Sequence, residues 1–145
     1  MYPDLIVTGL ATNLQQLCHS YAQGKPLDVP LSMLDDADYA ELLRRLVAVR
    51  KKHPVFFLNG RFIDSRGLTT TGDLRVFGIE ERGGDGLLVN VWLPGTEPGV
   101  PVETALRIDR PSLRPQCVYP DDLLVADEGG WLTLRWRGPV ATLIV

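Results

Sequence analysis

Residues 38–64 read DYAELLRRLVAVRKKHPVFFLNGRFID, and this stretch decides the fold class. From Asp38 to Lys52 the apolar residues recur with the period of about 3.6 residues that marks an amphipathic helix. Pro54 ends this helix, because the residue before a proline is disfavoured from helical geometry. The apolar run Val55–Leu58 follows, which we expect to be extended, and Asn59-Gly60 is a tight-turn signal. The chain therefore changes from helix to strand at this point.

The residues before this stretch predict a short strand and a first helix. The run DLIVT at 4–8 is apolar and too short for a helix, which favours a buried strand. Thr12 or Asn13 can cap a helix that Gly24 closes. The candidate starting residues of the second, longer helix are Ser32 paired with Asp35, and Asp36 itself.

Almost everything after Gly60 reads as short strands separated by glycine and proline. The predicted strands are 61–64, 73–82, 87–93, 102–108, 116–119, 123–126, 131–137 and 140–145, and the second and third should form a hairpin. This spacing is typical of an antiparallel sandwich or barrel. We therefore predict a mainly β fold, an antiparallel β-sandwich with two N-terminal α-helices packed against it. Residues 1–53 form a docking segment and 54–145 the sandwich, in one compact unit.

Composition excludes several classes of function. The net charge of the 145 residues is -3, which argues against nucleic acid as a partner, because phosphate binding needs a basic field. No apolar run approaches the roughly 20 residues of a membrane span, and the N-terminus lacks the features of a secretory signal. We expect a cytoplasmic protein without a cofactor or a metal site. Its two cysteines, Cys18 and Cys117, should be reduced, buried thiols.

Neither the carboxylates nor the histidines form a recognisable catalytic set. Nearly all aspartates and glutamates fall at predicted caps and turns, where they serve solubility and local hydrogen bonding. The two histidines, His19 and His53, are expected on a helix and at a helix end. Asp64 and Asp73 sit at strand edges, where a cleft could use a carboxylate. A small hydrolase would rest on these two residues alone.

Two tryptophans are better candidates for a binding surface. In the predicted strand 131–137, alternation places Trp131 and Arg135 on the face opposite the core. In 87–93 it places Asn90 and Trp92 opposite the core in the same way. An exposed tryptophan can stack on a sugar ring or anchor a protein contact. Alternatively, the N-terminal helices or a loop cover the tryptophans, since a packed helix needs such a face.

Three segments resemble the C-terminal region of TIM-barrel glycoside hydrolases. They are LLRRLVAVRKKHPVFFLNGRFIDSRGL from Leu42, GDLRVFGIEE from Gly72 and LLVNVWLPGTEP from Leu87. In those enzymes a last barrel helix of the form LxRLxxLRKKxP leads into a β-sandwich accessory domain that opens with a GRFxDxxGL turn. The similarity is greatest over residues 38–94 and fades after 100. Leu93 departs from the pattern, since the family tends to have a polar residue there.

The resemblance implies a non-catalytic β-sandwich accessory domain that stabilises or docks on a catalytic barrel. It carries over no catalytic residue, because such enzymes place their carboxylates on earlier barrel strands, and a barrel needs about 250 residues. The chain would be the tail of a longer enzyme or a relative that has lost the barrel. The expected partners are a barrel domain or a second copy, bound through the N-terminal helices. A carbohydrate-binding module and a small hydrolase are the alternatives.

Overall fold

The computed structural model describes residues 11–111 and 113–145. The described helical segments are α1 (Leu14–Ala22), a 3₁₀ helix (Leu31–Asp35), α2 (Ala37–Lys52) and the one-turn α3 (Pro54–Phe57). The described strands are β1 (Arg61–Asp64), β2 (Leu68–Thr70), β3 (Arg75–Glu80), β4 (Leu87–Trp92), β5 (Pro101–Ile108), β6 (Gln116–Tyr119), β7 (Leu124–Glu128), β8 (Trp131–Arg137) and β9 (Val140–Ile144). The strand predicted at 4–8 lies outside the described residues.

The described strands form two antiparallel sheets packed face to face. One sheet has the strand order β1-β3-β4-β9-β6, and the other has the order β2-β5-β8-β7. The predicted hairpin is confirmed, because β3 pairs with β4 from Arg75 opposite Trp92 to Glu80 opposite Leu87. The prediction of a β-sandwich with N-terminal helices packed against it is therefore confirmed.

Two apolar layers hold the structure together. The larger lies between the sheets and consists of the side chains on the inward face of the central strands, such as Val89, Leu134 and Leu143. The second lies between the helices and the five-stranded sheet, where Leu17 and Leu46 pack near Val140. The outer face of the four-stranded sheet stays exposed at most of its outward positions. The described helices thus cover one sheet and leave the outer face of the other uncovered, and we call the uncovered one the open sheet. No described helix is long and apolar enough to cross a bilayer.

The helix ends follow the sequence signals, and the structure chooses between the alternatives. Asn13 caps α1 by accepting a hydrogen bond from the Gln16 amide at 2.8 Å. Asp36 caps α2 by accepting from the amides of the second and third residues after it. Gly24 follows α1 with a φ of +71°, a left-handed conformation that favours glycine after a helix.

The expectation that Val55–Leu58 is extended is wrong. Pro54 starts α3, because its fixed φ suits the first helical turn, where no amide donor is needed. Phe56 is then buried against Ile79. Gly60 lets the chain leave this turn, since a Cβ there would lie 2.3 Å from the Phe56 carbonyl oxygen. A short apolar run does not distinguish helix from strand by its period.

The expectation of two buried thiols holds for one cysteine only. Both cysteines are free, and Cys18 is buried in α1. Burial raises the pKa of the Cys18 thiol to about 12. Cys117 is exposed, because β6 is an outer strand of its sheet. The expectation was therefore wrong for Cys117.

Candidate functional site

The four residues predicted to contact a ligand lie on two different sheets. Asn90 and Trp92 belong to β4 of the helix-covered sheet, and Trp131 and Arg135 belong to β8 of the open sheet. Asn90 is fully buried. Its amide nitrogen donates to the Ala22 carbonyl at 3.1 Å. Asn90 therefore serves the contact between α1 and the sheet.

Trp92 is covered by α1, as the alternative from the sequence expected. Its indole nitrogen donates to Gln15 Oε1 at 3.2 Å. The ring stacks on His19, with 4.9 Å between centroids and 22° between planes. Burial is the main cause that lowers the pKa of His19. Trp92 therefore anchors a helix to the sheet.

Trp131 and Arg135 share the outward face of β8. Arg135 is exposed and pairs with Glu103 on β5, with 3.2 Å between guanidinium nitrogen and carboxylate oxygen. Leu124 of β7 lies opposite Arg135 on the other side. Surface pairs of this kind add little stability. This row of residues leaves one exposed leucine beside a charged pair on the open face.

Trp131 lines a surface hollow of about 340 Å³. We call it the Trp131 hollow, and its lining residues are Gly67, Thr69, Arg107, Asp109 and Trp131. Thr69 lies opposite Arg107 in the pairing of β2 with β5. Leu106 lies opposite Leu132 in the pairing of β5 with β8, so the antiparallel register brings Arg107 beside Trp131. Three strand segments therefore meet at one indole ring.

The Trp131 hollow combines an apolar ring with polar groups of both kinds. Arg107 supplies hydrogen-bond donors, Asp109 supplies acceptors, and Thr69 supplies a hydroxyl that does both. Within residues 11–111 and 113–145, the structure shows no hydrogen bond from these three side chains to another protein group. They are therefore available to a ligand that rests on the indole.

A second candidate region lies between α2 and the outer strand β6. Two adjoining clefts of about 430 and 480 Å³ share Arg45, Tyr119 and Asp121. Arg45 donates to Glu41 at 2.8 Å, which is the ion pair that the four-residue spacing predicts. Burial raises the pKa of Tyr119. The clefts carry charges of both signs, and the sequence did not indicate them.

Asp64 and Asp73 do not lie on one strand pair. Asp64 ends β1 of the five-stranded sheet with a φ of 58°. Asp73 lies in the turn after β2 of the other sheet, and both side chains are exposed. The hydrolase alternative stays a prediction. Within the described parts of the chain, no group of three histidine, cysteine, aspartate or glutamate side chains is placed to hold a metal ion.

The sequence showed Trp131 but not its neighbours in the hollow. Arg107 and Asp109 alternate with Ile108, so their outward position could be inferred once β5 was recognised. Their closeness to Trp131 depends on which strands pair and in which register. Thr69 lies in β2, a strand that is absent from the predicted set. Strand pairing was the missing information.

Comparison with known proteins adds no identification. No protein-family model matches the chain, and no curated protein or solved structure matches it.

Proposed function

We propose that this chain is a non-catalytic β-sandwich accessory domain of a carbohydrate-active enzyme, and that its helical layer docks on a catalytic barrel. The observation that carries the docking is the exposed apolar surface of the 3₁₀ helix. Leu31 is 83% exposed and Leu34 is 45% exposed. We call these two residues the leucine patch. Exposed apolar surface of this kind marks interaction sites when it is contiguous with further apolar side chains.

Half-buried apolar residues link the leucine patch to the core of the helical layer. Val29, Met33 and Leu43 pack against the cluster that contains Leu46. The 3₁₀ helix itself buries none of its side chains. Covering an exposed leucine contributes about 1.5–3 kcal/mol. A partner with an apolar surface would therefore gain from contact at this point.

The packing of α2 supports a domain that carries the last helix of a barrel. Its buried stripe, including Tyr39, Leu42 and Leu46, faces α1 and the sheet. The Tyr39 hydroxyl donates to the Ala11 carbonyl at 2.6 Å. Helix α2, which carries the sequence that resembles LxRLxxLRKKxP, is thus packed firmly on the sandwich. A barrel that docks on the 3₁₀ helix would be held rigidly to the sandwich.

Sedimentation velocity over a range of protein concentrations tests the docking surface. Without its barrel, the chain should self-associate through the leucine patch. The double variant Leu31→Asp/Leu34→Asp should sediment as a monomer, because each aspartate would have to be desolvated in the contact. Leu124→Asp is the matched control, since Leu124 is 65% exposed on the opposite sheet, and it should behave like the parent. A parent chain that is monomeric throughout contradicts the proposal.

A second function, carbohydrate binding by the domain itself, is favoured by the Trp131 hollow. The open sheet presents a half-buried tryptophan, and polar side chains surround it. Aromatic rings with a polar rim suit ligands that have both apolar and polar faces. This function does not require the leucine patch, so the two proposals are tested independently.

A further inference from the structure

We propose that the Trp131 hollow binds one ring of a neutral oligosaccharide, with the indole stacked on the ring and Arg107 and Asp109 holding its hydroxyl groups. The inference rests on the second proposed function, carbohydrate binding, and not on docking to a barrel. A pyranose ring offers an apolar C–H face together with hydroxyl groups around its edge. The hollow offers the complement of both.

The strand pairing around Trp131 fixes the position of its backbone. Trp131 begins β8, and Leu132 directly after it is fully buried in the core between the sheets. Glu128 of β7 lies opposite Trp131, and Arg107 of β5 flanks it on the other side. The strand that carries the ring is therefore already in place before a ligand stacks on it, which lowers the cost of binding.

The charged groups of the hollow match neighbouring hydroxyl groups on a sugar. A guanidinium donates through several N–H groups, and a carboxylate accepts through two oxygens. Hydrogen bonds to a charged partner are about twice as strong as neutral ones. The structure assigns Arg107 and Asp109 no ion pair within its described residues, in contrast to Arg135, which pairs with Glu103. Their donors and acceptors are therefore not used by the described residues and can bind a ligand in the hollow.

Gly67 keeps the hollow open. It has a φ of +72°, a conformation that other residues rarely adopt. A Cβ at this position would lie 3.6 Å from the Cβ of Asp109. A larger side chain at position 67 would therefore occupy space beside the carboxylate that the ligand needs.

A row of small side chains lies next to the hollow on the outward face of the open sheet. Ala105, Thr133 and Ala126 are paired in one row over β5, β8 and β7. The row lies between the one that contains Trp131 and the one that contains Arg135. Four residues of strand separate these two larger side chains, a distance of about 13 Å. Small side chains in this row leave space for further sugar rings beside Trp131, so an oligosaccharide should bind more tightly than a monosaccharide.

Isothermal titration calorimetry with soluble cello-, xylo-, manno- and malto-oligosaccharides of three to six residues tests the inference. At least one of these series should bind, and Trp131→Ala and Arg107→Ala should each weaken that binding by about tenfold or more, which corresponds to about 1.4 kcal/mol. Trp131→Phe should restore part of the affinity, because a phenyl ring still stacks. Arg61→Ala is the matched control, since this arginine is exposed on the other sheet, and it should bind like the parent. Circular dichroism verifies that each variant is folded.

The two ways of failing are distinguishable. Binding that is unchanged in both Trp131→Ala and Arg107→Ala overturns the site but leaves carbohydrate binding standing. If none of the four series binds to the parent chain, both the site and carbohydrate binding are overturned. Neither result bears on the leucine patch.

Discussion

Replacing Thr142 with valine should destabilise the domain far more than the loss of a surface hydroxyl would. Thr142 is fully buried on β9, between α1 and the five-stranded sheet. Its hydroxyl donates to Asn90 Oδ1 at 2.7 Å. It lies 2.6 Å from the Tyr21 hydroxyl, which must then donate to it. Valine keeps the shape of the side chain and removes both interactions.

The expected magnitude follows from the groups that are left without partners. In Thr142→Val, the Tyr21 hydroxyl and Asn90 Oδ1 both stay buried without a hydrogen bond, at about 1–3 kcal/mol each. The added methyl group returns about 0.8 kcal/mol, so the free energy of unfolding should fall by about 1–5 kcal/mol. Tyr21→Phe alone should cost only about 1 kcal/mol, because Thr142 can still donate to Asn90.

Urea denaturation followed by circular dichroism measures these effects as a double-mutant cycle. The double variant Tyr21→Phe/Thr142→Val leaves only Asn90 Oδ1 unpaired, so its cost should be at least about 1 kcal/mol less than the sum of the single costs. Thr133→Val is the control on the open sheet and should change the unfolding free energy by no more than about 0.5 kcal/mol. Single costs that add within about 0.3 kcal/mol, or a Thr142→Val cost as small as that of the control, would refute the reasoning.

Three further predictions concern other contacts of the helical layer. The guanidinium of Arg50 donates to the carbonyls of Ser20 and Tyr21 in α1 and of Lys25 after it, so Arg50→Lys should lower the free energy of unfolding, measured in urea, by about 1–3 kcal/mol. Lys51→Ala, at an exposed site, should change it by no more than about 0.5 kcal/mol, and equal effects of the two substitutions would contradict the role of the guanidinium. Gly60→Ala should lower the free energy of unfolding by about 1–3 kcal/mol or more, because the added methyl group overpacks the turn. Asn59→Ala is the control and should have only a small effect, and an unfolding free energy unchanged by Gly60→Ala would contradict the close packing of this turn. Burial raises the pKa of Cys18 from 9.0 to about 12, so between pH 9 and 10 the unfolded chain loses a proton that the folded chain keeps. The free energy of unfolding should therefore fall by up to about 1.4 kcal/mol per pH unit. Cys18→Ala should make this dependence on pH less steep, and an unchanged slope would contradict the raised pKa of Cys18.

The sequence predicted those parts of the fold that depend on local patterns. The helical stripe from Tyr39 to Val49 and the alternation of β4 and β8 each follow from residues close together in the chain. The caps Asn13 and Asp36 were each one of two local candidates. The error at Val55–Leu58 has a local cause too. Four apolar residues after a proline fit either a strand or a first helical turn, and only the space beside Ile79 decides between them.

The candidate site depended on contacts between distant residues. Trp131 was recognised because its own strand alternates, yet its neighbours Thr69, Arg107 and Asp109 come from two other segments. Trp92 and Trp131 look equivalent in the sequence, since each points away from the core of its sheet. They differ because α1 covers only one of the two sheets. No pattern within a strand records which sheet a helix covers.

The association with a carbohydrate-active enzyme is tested most directly in an extract of the source cells. An antibody raised against this chain would precipitate it, and hydrolysis of a panel of nitrophenyl glycosides would be measured in the precipitate and with the purified chain. The account predicts hydrolysis in the precipitate and none by the purified chain. A precipitate that contains the chain but hydrolyses no glycoside would contradict the association, and hydrolysis by the purified chain would contradict its non-catalytic role.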